Sequence, residues 1–238
     1  TTLELNNKDI YSKIEHAHKI IEKSLSITEN PFVAYSGGKD GFIVAHMVSQ
    51  HLPNIKMACE ISHTFKAVVE DIKSIANEHN FNVEYKNSLS DEWLLKNSKY
   101  IFTSDGKLIK QYCSSRQQKM LRKFQKENGY DCTFTGRTKY DNNVKAEIYN
   151  TKRNGIQSHP IRNFKDEDVW EYFKINNLRI PMIYNTKFGE KTGNSPFFAM
   201  GYKNKGLPIS KAWEAVNEID KELIFYNKFK DSITRTRC

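Results

Sequence analysis

A short glycine-rich segment carries the residues of this sequence that are best suited to phosphate chemistry. It spans Tyr35–Gly41, reads YSGGKDG, and lies between an apolar run at 32–35 and a helix-compatible apolar run at 42–52. Adjacent glycines allow close backbone approach, and the N–H groups and dipole of a helix N-terminus favour an anion. Ser36 adds a hydroxyl donor and Lys39 a positive charge. The segment therefore predicts a phosphate-binding loop. Its spacing matches neither the Walker A nor the dinucleotide-binding pattern, so a purely structural turn is the alternative.

Three charged residues are further candidates for contact with an anion. Arg137 follows Gly136 at the predicted carboxyl end of a strand, where open α/β sheets bind their ligands. A surface salt bridge is the alternative for Arg137. Asp40 either caps the helix that begins beside it or contributes to a magnesium site. Arg116 is one of five basic residues in the predicted helix 111–128, and it faces either solvent or a polyanion groove.

The apolar pattern predicts strands and helices that alternate along the chain. Strands are predicted at 32–35, 55–61, 81–85 and 132–135, and helices at 8–25, 42–52, 65–76, 111–128 and from Asp166, which is placed to cap its helix. Residues 141–155 and 184–206 are predicted to be loops. This order implies a doubly wound, mostly parallel sheet with helices on both faces. We expect an N-terminal helix (1–30), a nucleotide-binding domain (31–183), and a loop, C-terminal helix and basic tail (184–238) packed on that domain.

Composition narrows the class of protein. The 238 residues carry a net charge of +9, and aromatic residues make up 12% of the chain, enough core material to exclude disorder as the main state. No apolar stretch approaches the ~20 residues of a membrane span, and no signal-peptide pattern opens the chain, so a cytoplasmic protein is predicted. The positive charge favours a polyanionic partner, either a nucleotide or a nucleic acid, with a basic surface kept for solubility as the alternative.

The cysteines form no close pairs. Cys59, Cys113, Cys132 and Cys238 are scattered, and no C-x-x-C pair occurs. This spacing predicts reduced thiols rather than a disulfide scaffold, and it predicts that no iron–sulfur cluster is bound. The histidines also lack metal-ligand spacing, so no residue is assigned as a metal ligand.

The glycine-rich loop resembles the PP-loop of the N-type ATP pyrophosphatases, whose pattern S-G-G-x-D/S follows the first strand of an adenine nucleotide alpha-hydrolase-like fold. Other segments resemble one branch of that superfamily, the phosphoadenosine phosphosulfate (PAPS) reductase family, which includes ATP sulfurylase small subunits and DNA phosphorothioation enzymes. The similar segments are Cys113–Arg116, which lacks the second cysteine of the family pattern, Thr135–Arg137, Pro160–Trp170 and Pro181–Asn185.

The sequence also departs from the family pattern. Where many members have Asp-Thr-Gly, this chain has His63-Thr64-Phe65, so only Thr64 carries over. The acidic E-S pair after Arg137 is absent, as are the cysteine pairs of the iron–sulfur reductases and the E-C-G-x-H-like tail that carries the reductase nucleophile. Cys238, which follows Arg235 and Arg237, is the only local support for a thiol nucleophile.

The resemblance implies an enzyme that binds ATP, with Mg²⁺, and cleaves it between the α- and β-phosphates to adenylate an acceptor in sulfur metabolism or in nucleic-acid sulfur modification. It implies nucleotide binding by Ser36, Gly37, Gly38, Lys39, Asp40, Gly41, Thr64, Gly136 and Arg137, with Lys39 and Arg137 as the catalytic residues. Two alternatives remain open: a thiol-dependent PAPS reductase, and a non-catalytic nucleotide-binding subunit. Whether a nucleic acid or a partner protein subunit also binds is left open, and membrane binding is not expected.

Overall fold

A six-stranded sheet organises the chain. In the computed structural model the described residues are 2–97, 106–140, 144–152 and 154–185. The sheet has the order β3-β2-β1-β4-β6-β5. Its strands are β1 Pro31–Ala34, β2 Lys56–Glu60, β3 Asn82–Lys86, β4 Cys132–Phe134, β5 Ile148–Thr151 and β6 Gly155–Ser158. β1 is parallel to β2 and to β4, and β4 is parallel to β6, whereas the edge strand β5 is antiparallel to β6. The predicted α/β fold with a mostly parallel sheet is confirmed.

Seven α-helices connect and flank these strands within the described residues. They are α1 Thr2–Leu25, α2 Lys39–His51, α3 Lys66–Glu78, α4 Asp91–Lys96, α5 Gly106–Cys113, α6 Lys119–Asn128 and α7 Asp166–Ile175. A π-helical turn, Ser114–Gln118, joins α5 to α6, and a 3₁₀ turn covers Met182–Asn185. None of the described helices combines the length and the apolar character that crossing a membrane would require.

The described residues divide into two compact units. The first takes the described parts of 2–59, 75–85 and 121–180, and the second takes those of 60–74, 86–120 and 181–185. The predicted division at residues 30 and 183 stays a prediction.

The core of the first unit is built from aromatic side chains. Phe32 of β1 meets Phe124 of α6 with ring centroids 5.4 Å apart, and Phe42 of α2 meets Phe173 of α7 at 5.3 Å. All four rings are almost fully buried. Helices α1, α2 and α7 pack against one another. This packing fixes the start of α2, and with it the glycine-rich loop, relative to the sheet.

The sheet reverses its winding direction beside β1. The chain runs outward from β1 to β2 and β3, and then returns to place β4 on the other side of β1. Because such crossovers are right-handed, those that run in opposite directions lie on opposite faces of the sheet. A crevice forms outside the carboxyl ends of the strands at such a switch point, here β1 and β4, and ligands of doubly wound folds bind in it.

A hairpin replaces part of the predicted loop at 141–155. Ile148–Thr151 and Gly155–Ser158 pair as antiparallel strands. Gly155 has φ +57°, and a Cβ there would lie 2.5 Å from the Asp131 carbonyl oxygen, so a glycine is required at this turn. The prediction failed because a short, half-exposed edge hairpin shows little apolar alternation, while its register is set by a turn.

A histidine on α2 makes the stability of the first unit depend on pH. His46 Nδ1 lies 2.8 Å from the Tyr172 hydroxyl, and its ring meets the His79 ring edge-on at 5.6 Å. Burial, helped by the charges of His79 and His18, lowers the pKa of His46 to about 4. A histidine whose pKa is lower in the folded chain stabilises the fold above its unfolded pKa of about 6.5, and this contribution is lost as the pH falls towards 4.

We therefore expect the free energy of unfolding to fall by on the order of 1–2 kcal/mol between pH 7 and pH 5 through His46 alone. Urea unfolding of wild type and His46→Gln across this range measures the contribution, and the variant should show the shallower pH dependence. Parallel curves for the two proteins would contradict the assignment.

Candidate functional site

The glycine-rich loop leaves the N-terminus of α2 without a capping side chain. Gly38 is the N-cap residue and has an extended backbone, with φ −83° and ψ 166°. The preceding Gly37 has φ +71°, a left-handed conformation that favours glycine. Ser36 is exposed, and its Oγ accepts a hydrogen bond of 3.3 Å from the Gly38 N–H. First-turn N–H groups have no acceptor within their own helix, and the positive end of the helix dipole lies at this turn, so the turn favours an anion.

The end of β4 packs directly against this first turn. A Cβ built on Gly136 would lie 2.5 Å from the Asp40 carbonyl carbon and 2.7 Å from the Gly41 nitrogen. A Cβ on Gly41 would in turn lie 2.7 Å from Ser36 Oγ. Real Cβ atoms do not approach backbone atoms so closely, so position 136 needs glycine, whereas the close atom at position 41 belongs to a hydroxyl that can rotate away. The two predicted elements, the loop after β1 and the Gly136 segment after β4, are thus brought together at the switch point.

Lys39 is held as an ammonium by two carboxylates. Its Nζ donates to Asp40 Oδ1 at 3.0 Å and to Asp166 Oδ1 at 2.8 Å. Burial by itself lowers the pKa of Lys39, but the two carboxylates outweigh it and raise the pKa. Lys39 is therefore a fixed positive charge at the start of α2. Asp40 is the second residue of α2, not its cap, because the helix begins at Lys39 and Gly38 occupies the N-cap.

The expected cap of α7 is corrected by its hydrogen bonds. Asp166 is the first residue of α7 and binds Lys39 instead of capping. The N-cap residue is Lys165, whose N–H donates to Asp168 Oδ2 at 2.7 Å. A carboxylate three residues after the N-cap can reach back to that N–H, whereas the side chain at the first helical position points away from it.

Arg137 is exposed beside the loop-contacting Gly136. Its guanidinium forms no hydrogen bond or ion pair with any described residue. The backbone on either side is anchored, because the Thr135 N–H donates to Ser158 O at 3.0 Å and the Lys139 N–H donates to Arg162 O at 2.7 Å. Arg137 is thus a solvent-facing cation on an anchored segment at the end of β4.

The second unit contains a buried ion pair between Arg116 and Glu60, of which the sequence singled out only Arg116. The Arg116 guanidinium donates through Nε to Glu60 Oε2 and through Nη2 to Thr64 Oγ1 at 3.0 Å. The side chains of Glu60 and Arg116 are both 3% exposed. Glu60 Oε1 also accepts from the Ser62 N–H at 3.0 Å and from Ser88 Oγ at 2.9 Å. The predicted site residue Thr64 therefore belongs to this network.

The sequence predicts Arg116 either on a solvated basic helix face or in a polyanion groove, and the structure corrects both alternatives because Arg116 is buried against Glu60. It lies in the π-helical turn, a deviation that often marks functional sites and that rotates residues away from the regular face. Burial lowers the pKa of Arg116, but Tyr112 and Glu60 outweigh it and raise the pKa. The regular spacing of an α-helix could not predict the π-helical turn at Ser114–Gln118. The signal that could have found Arg116 was its place in the family-like segment Cys113–Arg116.

Comparison with known proteins decides the family. The family model of the phosphoadenosine phosphosulfate reductase domain matches residues 30–193, which is more than half of the chain. The chain belongs to this family. A search of curated proteins finds no match to it. The matched range includes the glycine-rich loop, the Gly136 segment and the Arg116 network.

Two solved structures share the fold at low sequence identity. A crystal structure of phosphoadenylyl-sulfate (PAPS) reductase from Candida auris, in complex with phosphate, is 15% identical, with TM-score 0.57 over 71% of this chain and 83% of that one. The U34-tRNA thiolase NcsA from Methanococcus maripaludis, with its [4Fe-4S] cluster, is 11% identical, with TM-score 0.51 over 90% of this chain and 83% of that one. The family model confirms the predicted place in the PAPS reductase family, and these two structures show that the chain shares their fold.

The sequence predicts ATP or PAPS with Mg²⁺ and no iron–sulfur cluster. The thiolase structure contradicts this cofactor prediction. A protein with this fold carries a [4Fe-4S] cluster, so the missing C-x-x-C pair was not a valid ground for exclusion. Cluster ligands can come from cysteines that are distant in sequence and adjacent only in the fold. Within the described residues, no group of three or more His, Cys, Asp or Glu side chains is placed to hold a metal ion.

Proposed function

We propose that this PAPS reductase family member is an enzyme that binds ATP and cleaves it between the α- and β-phosphates. The adenylyl group passes to an acceptor in sulfur metabolism or in the sulfur modification of a nucleic acid. The observation that carries the proposal is the start of α2, where Gly38 provides no capping side chain and Lys39 provides a fixed charge. A helix N-terminus of this kind suits a phosphate chain.

Each residue of this site has a defined task in the proposed reaction. An oxygen of the acceptor attacks the α-phosphorus, the bond from that phosphorus to the bridging oxygen breaks, and pyrophosphate leaves with the electron pair. Lys39, Ser36 and the first-turn N–H groups stabilise the charge that develops on pyrophosphate. Arg137 neutralises the α-phosphate. Thr64 belongs to the second unit, where its hydroxyl accepts a hydrogen bond from Arg116, and its contact with a nucleotide stays a prediction.

The thiol-dependent reduction of PAPS is the second candidate, because it is the activity named by the family model and by the Candida auris structure. The described cysteines give it little support. Cys59 and Cys132 are buried in strands, and burial raises the pKa of Cys132 to about 12, so this thiol is protonated at neutral pH. Cys113 is half-buried. Cys238 lies outside the described residues.

Replacement of Cys238 separates the two candidates. If the protein cleaves ATP, the thiol is dispensable, and Cys238→Ser should release pyrophosphate from ATP at the wild-type rate. The measurement pairs a pyrophosphate assay, with sulfate or nucleic acid as acceptor, with a sulfite assay on PAPS and a thiol reductant. Cys113→Ser is the matched control, because it removes a different thiol. Sulfite release by wild type that disappears in Cys238→Ser alone would instead establish the reductase.

A further inference from the structure

The Lys39 ammonium is shared between the phosphate-binding loop and helix α7. It contacts both carboxylate oxygens of Asp40, at 3.0 and 3.1 Å, and Oδ1 of Asp166 at 2.8 Å. An ammonium has only three N–H donors. A phosphate oxygen that binds Lys39 must therefore take a donor that a carboxylate now holds.

The two carboxylates differ in how easily they can give up this donor. Asp40 follows Lys39 in the chain and moves with it. Asp166 belongs to α7, and its side chain is 80% exposed, whereas that of Lys39 is 14% exposed. An exposed carboxylate regains its hydration when it leaves, and a pair of this kind contributes little net free energy. The bond to Asp166 is therefore the one that an incoming phosphate replaces.

We propose that Asp166 is a specificity-determining residue that competes with the β- and γ-phosphates of a nucleotide for Lys39. This inference rests on the proposed function, in which Lys39 binds the phosphates that leave as pyrophosphate. The Asp166 carboxylate holds the Lys39 donor that these phosphates need, so it lowers the affinity for ATP more than that for AMP. A ligand without β- and γ-phosphates leaves the Lys39–Asp166 pair intact.

Titration calorimetry with ATP and with AMP tests the competition. For Asp166→Asn we expect ATP to bind about two- to fivefold more tightly, the range that corresponds to an exposed ion pair, and AMP to bind unchanged. Glu167→Gln is the matched control. It removes the same charge from the same first turn of α7, but Glu167 is exposed and forms no ion pair with the described residues. Glu167→Gln should change the affinity for ATP much less.

The same titrations in a Lys39→Ala background complete the test. Without the ammonium there is nothing to compete for, so adding Asp166→Asn to Lys39→Ala should give no further gain. An unchanged or weaker affinity of Asp166→Asn for ATP overturns the inference, as does an equal gain in Glu167→Gln or a gain that persists without Lys39. If neither wild type nor Asp166→Asn binds ATP, the proposed function fails and the inference fails with it.

Discussion

Lys39→Ala should weaken the binding of ATP by about ten- to a hundredfold. A hydrogen bond from a charged donor contributes about 1.5–3 kcal/mol, and the variant removes the one lysine of the loop. The fold should persist, because Lys39 pairs with the exposed Asp166, and ion pairs of this kind contribute about 1 kcal/mol or less. Calorimetric titration with ATP and a thermal melt of the same sample measure both effects.

Lys174→Ala provides the matched control for this variant. Lys174 is exposed near the end of α7, so its loss changes the net charge equally without touching the loop. We expect wild-type affinity for ATP in this control. Equal losses in Lys39→Ala and Lys174→Ala would show that only the overall charge matters, and would remove Lys39 from the site.

Gly136→Ala should abolish ATP binding and destabilise the first unit. The added methyl group would lie 2.6 Å from the Asp40 carbonyl oxygen and 2.7 Å from the Gly41 nitrogen, so either the end of β4 or the first turn of α2 must shift. Overpacking of this kind costs about 1–3 kcal/mol, and here it moves the backbone N–H groups that we propose as phosphate donors. Urea unfolding and ATP titration measure the two losses.

Gly129→Ala is the comparison for the glycine variant. Gly129 has φ +66° but has no atom within 4 Å of a built Cβ, so alanine there meets backbone strain without a clash. It should lose about 1–2 kcal/mol of stability and keep its affinity for ATP. If Gly136→Ala binds ATP as tightly as Gly129→Ala does, the contact between β4 and α2 is irrelevant to the site.

The sequence predicted the elements whose apolar residues are continuous or regularly spaced. The sequence predicts β1 and α2 because a continuous apolar run lies on each side of Ser36–Gly41. The phosphate-binding role of the loop, which stays a prediction, rests on the same segment, since glycines between a strand and a helix expose N–H groups. The packing of Gly136 on Asp40 is not predicted from the sequence, because a contact between distant segments leaves no periodic signal.

The features that sequence reasoning missed depend on tertiary contacts. Arg116 has the spacing of a surface residue, yet one π-helical turn and a buried partner, Glu60, place it in the interior. Asp166 satisfies the rules for a helix cap, but the position of Lys39 gives it a different partner. The exclusion of an iron–sulfur cluster was wrong for a related reason. It assumed that cysteines that are distant in the sequence are also distant in the fold.

The bond that is cleaved in ATP tests the central claim most directly. Phosphorus NMR of ATP incubated with the protein, a divalent cation and either sulfate or nucleic acid as acceptor identifies every phosphorus product. The proposed reaction predicts pyrophosphate in equal amount to an adenylylated acceptor or AMP, with neither product formed by Lys39→Ala. The appearance of ADP and inorganic phosphate would place the cleavage between the β- and γ-phosphates and would contradict the account.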